Sequence, residues 1–121
     1  YKVVKEKAYT SFLGPDTALP MMYMPDALRG TLELMEADAS KISIRSAYNL
    51  TAMSFTPAQL ADEIKKQFGE FEMTYAPDFR QQIADSWPDS LDDSQAREDW
   101  GWKPSFGLTE MVEDMLKNTP R

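Results

Sequence analysis

The residues best suited to contact a small ligand lie in one short stretch, Asp85-Ser86-Trp87-Pro88. An indole beside a proline, preceded by a hydroxyl and a carboxylate, can offer a ligand one flat apolar wall and two polar contacts. Arg80 is the only cation in the preceding segment, 78–84. On local chemistry alone, the simpler alternative is that Trp87 plugs the core, as large aromatic rings usually do.

The composition removes several kinds of catalytic site. The 121 residues include no histidine and no cysteine, which excludes a histidine general base, a thiolate nucleophile and a zinc–thiolate site within this sequence. The five glycines never take the spacing of a phosphate-binding loop. The carboxylates Asp85, Asp89, Asp92 and Asp93 favour helix capping over metal binding. We therefore predict no catalytic, cofactor-binding or metal-binding residue here.

The charge balance limits the partners. With 20 acidic and 13 basic residues the net charge is -7, which repels nucleic-acid phosphates and anionic membrane surfaces. The hydrophobic fraction of 42% and charged fraction of 27% are those of an ordinary globular domain. We predict a single soluble domain over 1–121, with no nucleic-acid or membrane partner. The compartment is not encoded, although the lack of cysteine is compatible with the cytoplasm, which we favour.

Apolar patterning predicts alternating short strands and helices. Alternation of Ile42, Ile44, Tyr48 and Leu50 predicts a strand, and Thr56-Pro57-Ala58-Gln59 is a capping box. Strands are predicted over 8–13, 19–24, 41–50 and 71–75, and helices over 1–7, from 25, and over 57–68, 92–100 and 108–117. The fold class predicted is α/β, with α+β character in isolation, built as a small sheet with packed helices.

Two predicted helices carry marked apolar faces. Leu28, Leu32 and Met35 fall on one face of the helix that starts at Pro25. The methionines of 21–24 are interpreted as core filling. The last helix is predicted to bury five residues: Leu108, Met111, Val112, Met115 and Leu116.

Several long strings resemble the C-terminal, substrate-binding part of extended short-chain dehydrogenase/reductases. The pattern D-x-S-x-A-x-x-x-x-G-W-x-P over 92–104 looks like the signature of that group. The strings over 19–37, 44–57 and 79–103 are similar to the epimerase-type L-threonine 3-dehydrogenases. The diphosphate-binding arginines of nucleotide-sugar epimerases are missing, since 19–23 reads LPMMY and Gln82 takes the second position.

This resemblance implies an NAD-dependent oxidation of L-threonine to 2-amino-3-oxobutanoate. In the family the tyrosine base, its lysine and the glycine fingerprint belong to an N-terminal dinucleotide-binding lobe, so NAD would be bound there and this chain would be an inactive C-terminal fragment. The Trp87 loop would then close over a small zwitterion. The resemblance thus implies Trp87, Ser86, Asp85 and Arg80 as substrate-binding residues, with Trp87 first.

Two alternatives stay open. The chain can be a lobe of another NAD-dependent epimerase or reductase that acts on a different small hydroxylated acid. It can instead be a non-catalytic module that associates with itself through the apolar surface a partner lobe would have covered. A homo-oligomer is compatible with each of these readings.

Overall fold

The computed structural model describes residues 1–120 and contains ten regular elements. The helices are α1 (Lys2–Glu6), α2 (Met24–Glu36), α3 (Pro57–Phe68), α4 (Phe79–Asp85), α5 (Ser94–Trp100) and α6 (Leu108–Asn118). The strands are β1 (Ala8–Ser11), β2 (Leu19–Met21), β3 (Met53–Phe55) and β4 (Glu72–Tyr75). The mixed α/β class predicted from the sequence is confirmed.

The strands form two separate pairs instead of the single small sheet that was predicted. β1 and β4 are parallel, with Ala8 opposite Glu72, whereas β2 and β3 are antiparallel, with Leu19 opposite Phe55. A parallel pair needs a long crossover, and here β2, α2, β3 and α3 lie between its two strands. The two short strand pairs and the packing of α3 on α6 are the main contacts between distant regular elements.

Helix α3 begins and ends where the sequence predicts. The Thr56 hydroxyl accepts the Gln59 backbone N–H at 3.2 Å, and the Gln59 side chain accepts the Thr56 N–H at 2.9 Å. Gly69, with φ of 105°, ends the helix in a conformation that favours glycine. This helix packs on α6, where the Gln67 amide donates to the Thr109 carbonyl. The capping box and the predicted end of the helix at Phe68 are confirmed.

The predicted strand over 41–50 is wrong, because the structure has irregular backbone there. Alternation only makes a strand where a partner strand accepts its hydrogen bonds. Here side chains take that role: the Asp99 carboxylate accepts the Ser43 N–H at 3.0 Å, and the Tyr48 hydroxyl accepts the Ile44 N–H at 3.0 Å. The strand in this part of the sequence is the short β3, which begins at Met53, shortly before α3.

The core-filling interpretation of the methionines is also wrong for most of them. Strand β2 ends at Met21, which is 40% exposed, and Met24 at the start of α2 is 62% exposed. Met115 of α6 is 49% exposed, although it was predicted to be buried, whereas Met111 and Val112 are buried as expected. Helical periodicity identifies an apolar face but not what covers it.

A buried carboxylate ties α2 to the segment after α5. Asp26 is 1% exposed and accepts the backbone N–H groups of Ser105 and Phe106 at 2.9 Å, as well as the Arg29 guanidinium at 2.9 Å. Burial by itself would raise the pKa of Asp26, but the hydrogen bonds from Arg29, Phe106 and Ser105 outweigh it and hold that pKa below its ordinary value. Arg29 also lies 4.8 Å from the centroid of the buried Trp102 ring.

Gly30 allows this close approach of α2 to Trp102, and replacing it by alanine should lower the free energy of unfolding. A Cβ there would lie 2.9 Å from the Trp102 ring and 2.8 Å from the Leu50 methyl. Alanine gains about 1 kcal/mol of helix propensity, but overpacking costs about 1–3 kcal/mol, and Trp102 is too tightly packed to move.

Because the Cβ would meet two atoms closer than 3.0 Å, we expect an overpacking cost of about 2–3 kcal/mol and a net loss of about 1–2 kcal/mol for Gly30→Ala, measured by urea unfolding. Thr31→Ala, at an exposed position one residue along the same helix, should change stability far less. A Gly30→Ala variant as stable as the parent chain would contradict the packing argument.

Candidate functional site

Helix α4 positions all four predicted ligand-contacting residues. The Asp78 side chain caps it by accepting the Arg80 backbone N–H at 2.9 Å. At its other end the Ser86 hydroxyl donates to the Ile83 carbonyl at 2.7 Å, and the Trp87 N–H donates to the Ala84 carbonyl at 3.0 Å. Asp85, Ser86 and Trp87 are therefore held in the tight turn that ends the helix.

Trp87 is not a core plug of this chain. Its side chain is 59% exposed, whereas the indole of Trp102 is 1% exposed and is buried in the core. Phe79 and Ile83, which are 72% and 49% exposed, precede Trp87 at intervals of four residues. Helical spacing places Phe79 and Ile83 on one side of α4, whereas Trp87 lies in the turn that follows the helix. We call these three exposed residues the α4 strip. Sequence reasoning missed its first two members, although their spacing was readable.

Arg80 is already paired within the chain. Its guanidinium makes a bidentate ion pair with Asp78, with nitrogen to oxygen distances of 3.0 and 2.6 Å. The hydrogen bonds that Arg80 donates to the Asp78 carboxylate raise the pKa of Arg80 above its ordinary value. The guanidinium carbon also lies 3.5 Å from the centroid of the Phe12 ring. Because the charge of Arg80 is balanced, the structure favours a role in shaping the surface over direct anion binding.

Asp85 faces away from Arg80. Its carboxylate accepts from the Gln81 amide at 2.6 Å, and the same amide group donates to the Thr17 hydroxyl and accepts the Gly14 N–H. Asp85 lines a surface depression of about 380 Å³, whereas Arg80 lines a different one of about 420 Å³. The structure thus brings together Asp85, Ser86 and Trp87 by sequence adjacency but separates Arg80 from Asp85.

The glycines of the chain do not have the spacing of a dinucleotide-binding turn. A pyrophosphate needs a glycine-rich turn that leads to a free helix N-terminus. Side chains of the chain itself occupy several of the helix N-terminal ends: Thr56 before α3, Asp78 before α4, and Glu110 in α6, whose carboxylate accepts the Gly107 N–H at 3.0 Å. Within 1–120 no group of three potential metal ligands occurs. No helix in this range is long and apolar enough to cross a bilayer.

Comparison with known proteins gives a consistent set of relatives. No protein-family model matches the chain. The mitochondrial L-threonine 3-dehydrogenase of Bos taurus is 54% identical over 117 residues, which cover 96% of this chain and 31% of that protein. An uncharacterised epimerase/dehydratase of Staphylococcus haemolyticus is 47% identical over 118 residues, which cover 97% of this chain and 37% of that protein.

A solved structure agrees with these relatives. The GalE-like L-threonine dehydrogenase of Cupriavidus necator superposes with a TM-score of 0.94 and is 60% identical, over 97% of this chain and 42% of that one. The chain thus spans about a third of the length of the curated relatives that it matches. Over nearly all of its residues, this chain belongs with the C-terminal part of the epimerase/dehydratase-type L-threonine 3-dehydrogenases.

Proposed function

We propose that this chain is the substrate-side lobe of a longer NAD-dependent L-threonine 3-dehydrogenase, which oxidises L-threonine to 2-amino-3-oxobutanoate. The observation that carries the proposal is the match in sequence and backbone to threonine dehydrogenases over nearly the whole chain. NAD is the hydride acceptor that we assign to the rest of the longer polypeptide, because residues 1–120 supply no phosphate cradle. The chain by itself is then inactive.

Within this proposal the α4 end forms one side of the threonine pocket. L-Threonine is a small zwitterion with a methyl group and a hydroxyl, so it needs an apolar wall and a few polar contacts. The exposed Trp87 ring supplies the wall. The Asp85 carboxylate accepts from Gln81 on one oxygen, but a carboxylate can accept further hydrogen bonds and suits an ammonium group. Ser86 and Arg80 hold the turn and the adjacent surface, because both are used in hydrogen bonds within the chain.

An exposed apolar face supports the view that most of the polypeptide lies elsewhere. Met24, Leu28, Leu32 and Met35 follow one side of α2 and are between 56% and 76% exposed. We call these four residues the α2 face. A contiguous apolar surface of this kind is unusual on a protein that functions alone and usually marks a contact with another protein surface. We therefore propose that the α2 face contacts the part of the longer polypeptide that this chain does not span, about two thirds of the relatives' length.

The proposal predicts activity only when the missing part is supplied. We would join this chain to the N-terminal part of the Cupriavidus necator enzyme and follow the absorbance of reduced NAD with L-threonine as substrate. The fusion should turn over L-threonine, whereas the 121-residue chain should not. The same N-terminal part without this chain serves as the control and should also be inactive.

Three outcomes would contradict parts of the proposal. Turnover by the 121-residue chain alone would contradict its role as one lobe. A fusion that oxidises another small hydroxylated acid but not L-threonine would favour the alternative in which the chain is a lobe of another NAD-dependent epimerase or reductase. A folded, inactive fusion, together with an isolated chain that forms stable oligomers lost in Leu28→Glu, would favour a self-associating module.

A further inference from the structure

One glutamine of α4 joins that helix to a turn in a distant part of the sequence. The turn covers residues 14–17, and the Thr17 N–H closes it by donating to the Gly14 carbonyl at 3.4 Å. The partly buried Gln81 reaches this turn from α4. Its side-chain oxygen accepts the Gly14 N–H at 2.8 Å, and its amide nitrogen donates to the Thr17 hydroxyl at 2.9 Å. Gln81 therefore fixes α4 relative to the 14–17 turn.

The same side chain also holds the Asp85 carboxylate. The Gln81 amide nitrogen donates to Asp85 Oδ1 at 2.6 Å, so a single carboxamide supplies one acceptor to the 14–17 turn and two donors, one to the turn and one to Asp85. The second oxygen of Asp85, Oδ2, accepts no hydrogen bond within residues 1–120. Asp85 is thus oriented through one oxygen and keeps the other available.

The 14–17 turn is itself held by backbone hydrogen bonds. The Pro15 carbonyl accepts the Ala58 N–H of α3 at 3.1 Å, and the Phe12 carbonyl, just before the turn, accepts the Asp78 N–H at 3.3 Å. The second bond attaches the start of α4 to the same segment that Gln81 contacts one turn further along the helix. Two attachments fix the direction of a helix of only seven residues, whereas one would let it pivot.

The depression beside Asp85 has a size and a charge that suit a small cationic group. Its volume is about 380 Å³, and residues 14–18 line one side while Ala84, Asp85 and Asp89 line the other. Sites for small molecules usually measure about 300–1,000 Å³. The lining contains three carboxylates, including Asp16, and no basic residue. The ammonium group of an amino acid is therefore the part of the substrate that this depression suits.

We propose that Gln81 is a positioning residue of the threonine pocket: it holds the end of α4 against the 14–17 turn and orients Asp85 so that the substrate ammonium donates to Oδ2. This inference rests on the proposed function, because it takes L-threonine as the substrate. Gln81 acts through Asp85 and does not touch the reacting atoms. The ammonium keeps its charge while the side-chain carbinol is oxidised, so the Asp85 contact binds ground state and transition state alike. Its loss therefore raises KM more than it lowers kcat.

Gln81→Glu tests the inference in the fusion with the N-terminal part of the Cupriavidus necator enzyme. The new carboxylate keeps the acceptor for the Gly14 N–H but replaces the donor to Asp85 by a like charge. We expect KM for L-threonine to rise by roughly 5- to 20-fold while kcat changes by less than about threefold. Amide hydrogen exchange of Ser86 and Trp87, whose N–H groups close the turn after α4, should quicken by at least about fivefold.

Two further variants separate the position of the carboxylate from its charge. Gln82→Glu adds the same charge at the exposed neighbouring residue and should change neither KM nor exchange. The double variant Gln81→Glu/Asp85→Asn exchanges the two groups, so the new amide at position 85 donates to the new carboxylate at position 81. Exchange of Ser86 and Trp87 should then return to within about twofold of the parent rate, whereas KM should stay at least about fivefold raised. A purely structural role would restore both.

Several outcomes would overturn the inference. They are an unchanged KM or unchanged exchange in Gln81→Glu, equal effects in Gln82→Glu, and recovery of KM together with exchange in the double variant. Failure of the proposed function has a different signature, because the folded parent fusion would then not oxidise L-threonine. Exchange of Ser86 and Trp87 in Gln81→Glu needs no substrate, so it tests whether Gln81 holds the end of α4 in either case.

Discussion

Replacing Trp87 by alanine should lower kcat/KM for L-threonine by roughly 10- to 100-fold, or about 1.4–2.7 kcal/mol of transition-state stabilisation. The protein assayed is the fusion of this chain with the N-terminal part of the Cupriavidus necator enzyme. The expected loss is the free energy that one aromatic ring contributes when it covers part of a small substrate. Trp87 is 59% exposed at the end of α4, so its removal should not unfold the chain. Steady-state kinetics with NAD at saturation, together with a thermal melt, separate an effect on activity from one on folding.

Phe79→Ala is the matched control for Trp87→Ala. Phe79 is an exposed aromatic residue on the same α4 strip, two turns earlier, and its replacement should change kcat/KM by less than about threefold. Trp87→Phe should retain most of the activity, since it keeps a flat apolar ring. An equal loss for Phe79→Ala and Trp87→Ala would mean that the strip contacts protein, and the assignment of Trp87 to the threonine pocket would be abandoned.

Asp26→Asn should lower the free energy of unfolding by about 3 kcal/mol, or roughly 10 °C in Tm. The carboxylate is 1% exposed and accepts from Arg29, Ser105 and Phe106. An amide nitrogen in place of one carboxylate oxygen would face donors with another donor, and Arg29 would lose its counter-charge. Urea unfolding of both proteins measures the difference, with Asp62→Asn, an exposed carboxylate on α3, as the control.

The same variant should also change the pH dependence of stability. The folded-state pKa of Asp26 is lowered from an ordinary value of 3.8, so its contribution is fully present above that value. It is lost as the pH falls from about 4 towards the folded pKa, because the unfolded chain binds the proton first. The stability difference between the parent chain and Asp26→Asn should therefore shrink below about pH 4. A difference that stays constant through this range would contradict the assigned hydrogen bonds.

The sequence by itself determined the features that depend on neighbouring residues. Thr56 and Gln59 cap α3 from opposite ends of a four-residue pattern, and α5 ends at Trp100, the predicted residue, where Gly101 has φ of 77°. These predictions succeed because caps and helix stops are made by local backbone geometry. The relationship to threonine dehydrogenases could also be predicted, since it rests on long strings of residues in order.

The tertiary structure decided what depends on distant partners. Ile42 and Ile44 alternate as in a strand, yet the backbone there is irregular. The Asp99 carboxylate accepts the Ser43 N–H, and the Tyr48 hydroxyl accepts the Ile44 N–H. Spacing placed Leu28, Leu32 and Met35 on one face of α2 but could not show that this face is exposed.

The site shows the same division between local and distant contacts. Composition did not distinguish the buried Trp102 from the exposed Trp87, because burial is set by what the rest of the chain packs against each ring. The pairing of Arg80 with Asp78 was within local reach, but its stacking on Phe12 joins α4 to the end of β1. Such contacts join residues that are far apart in the chain, and only the folded backbone brings them within range.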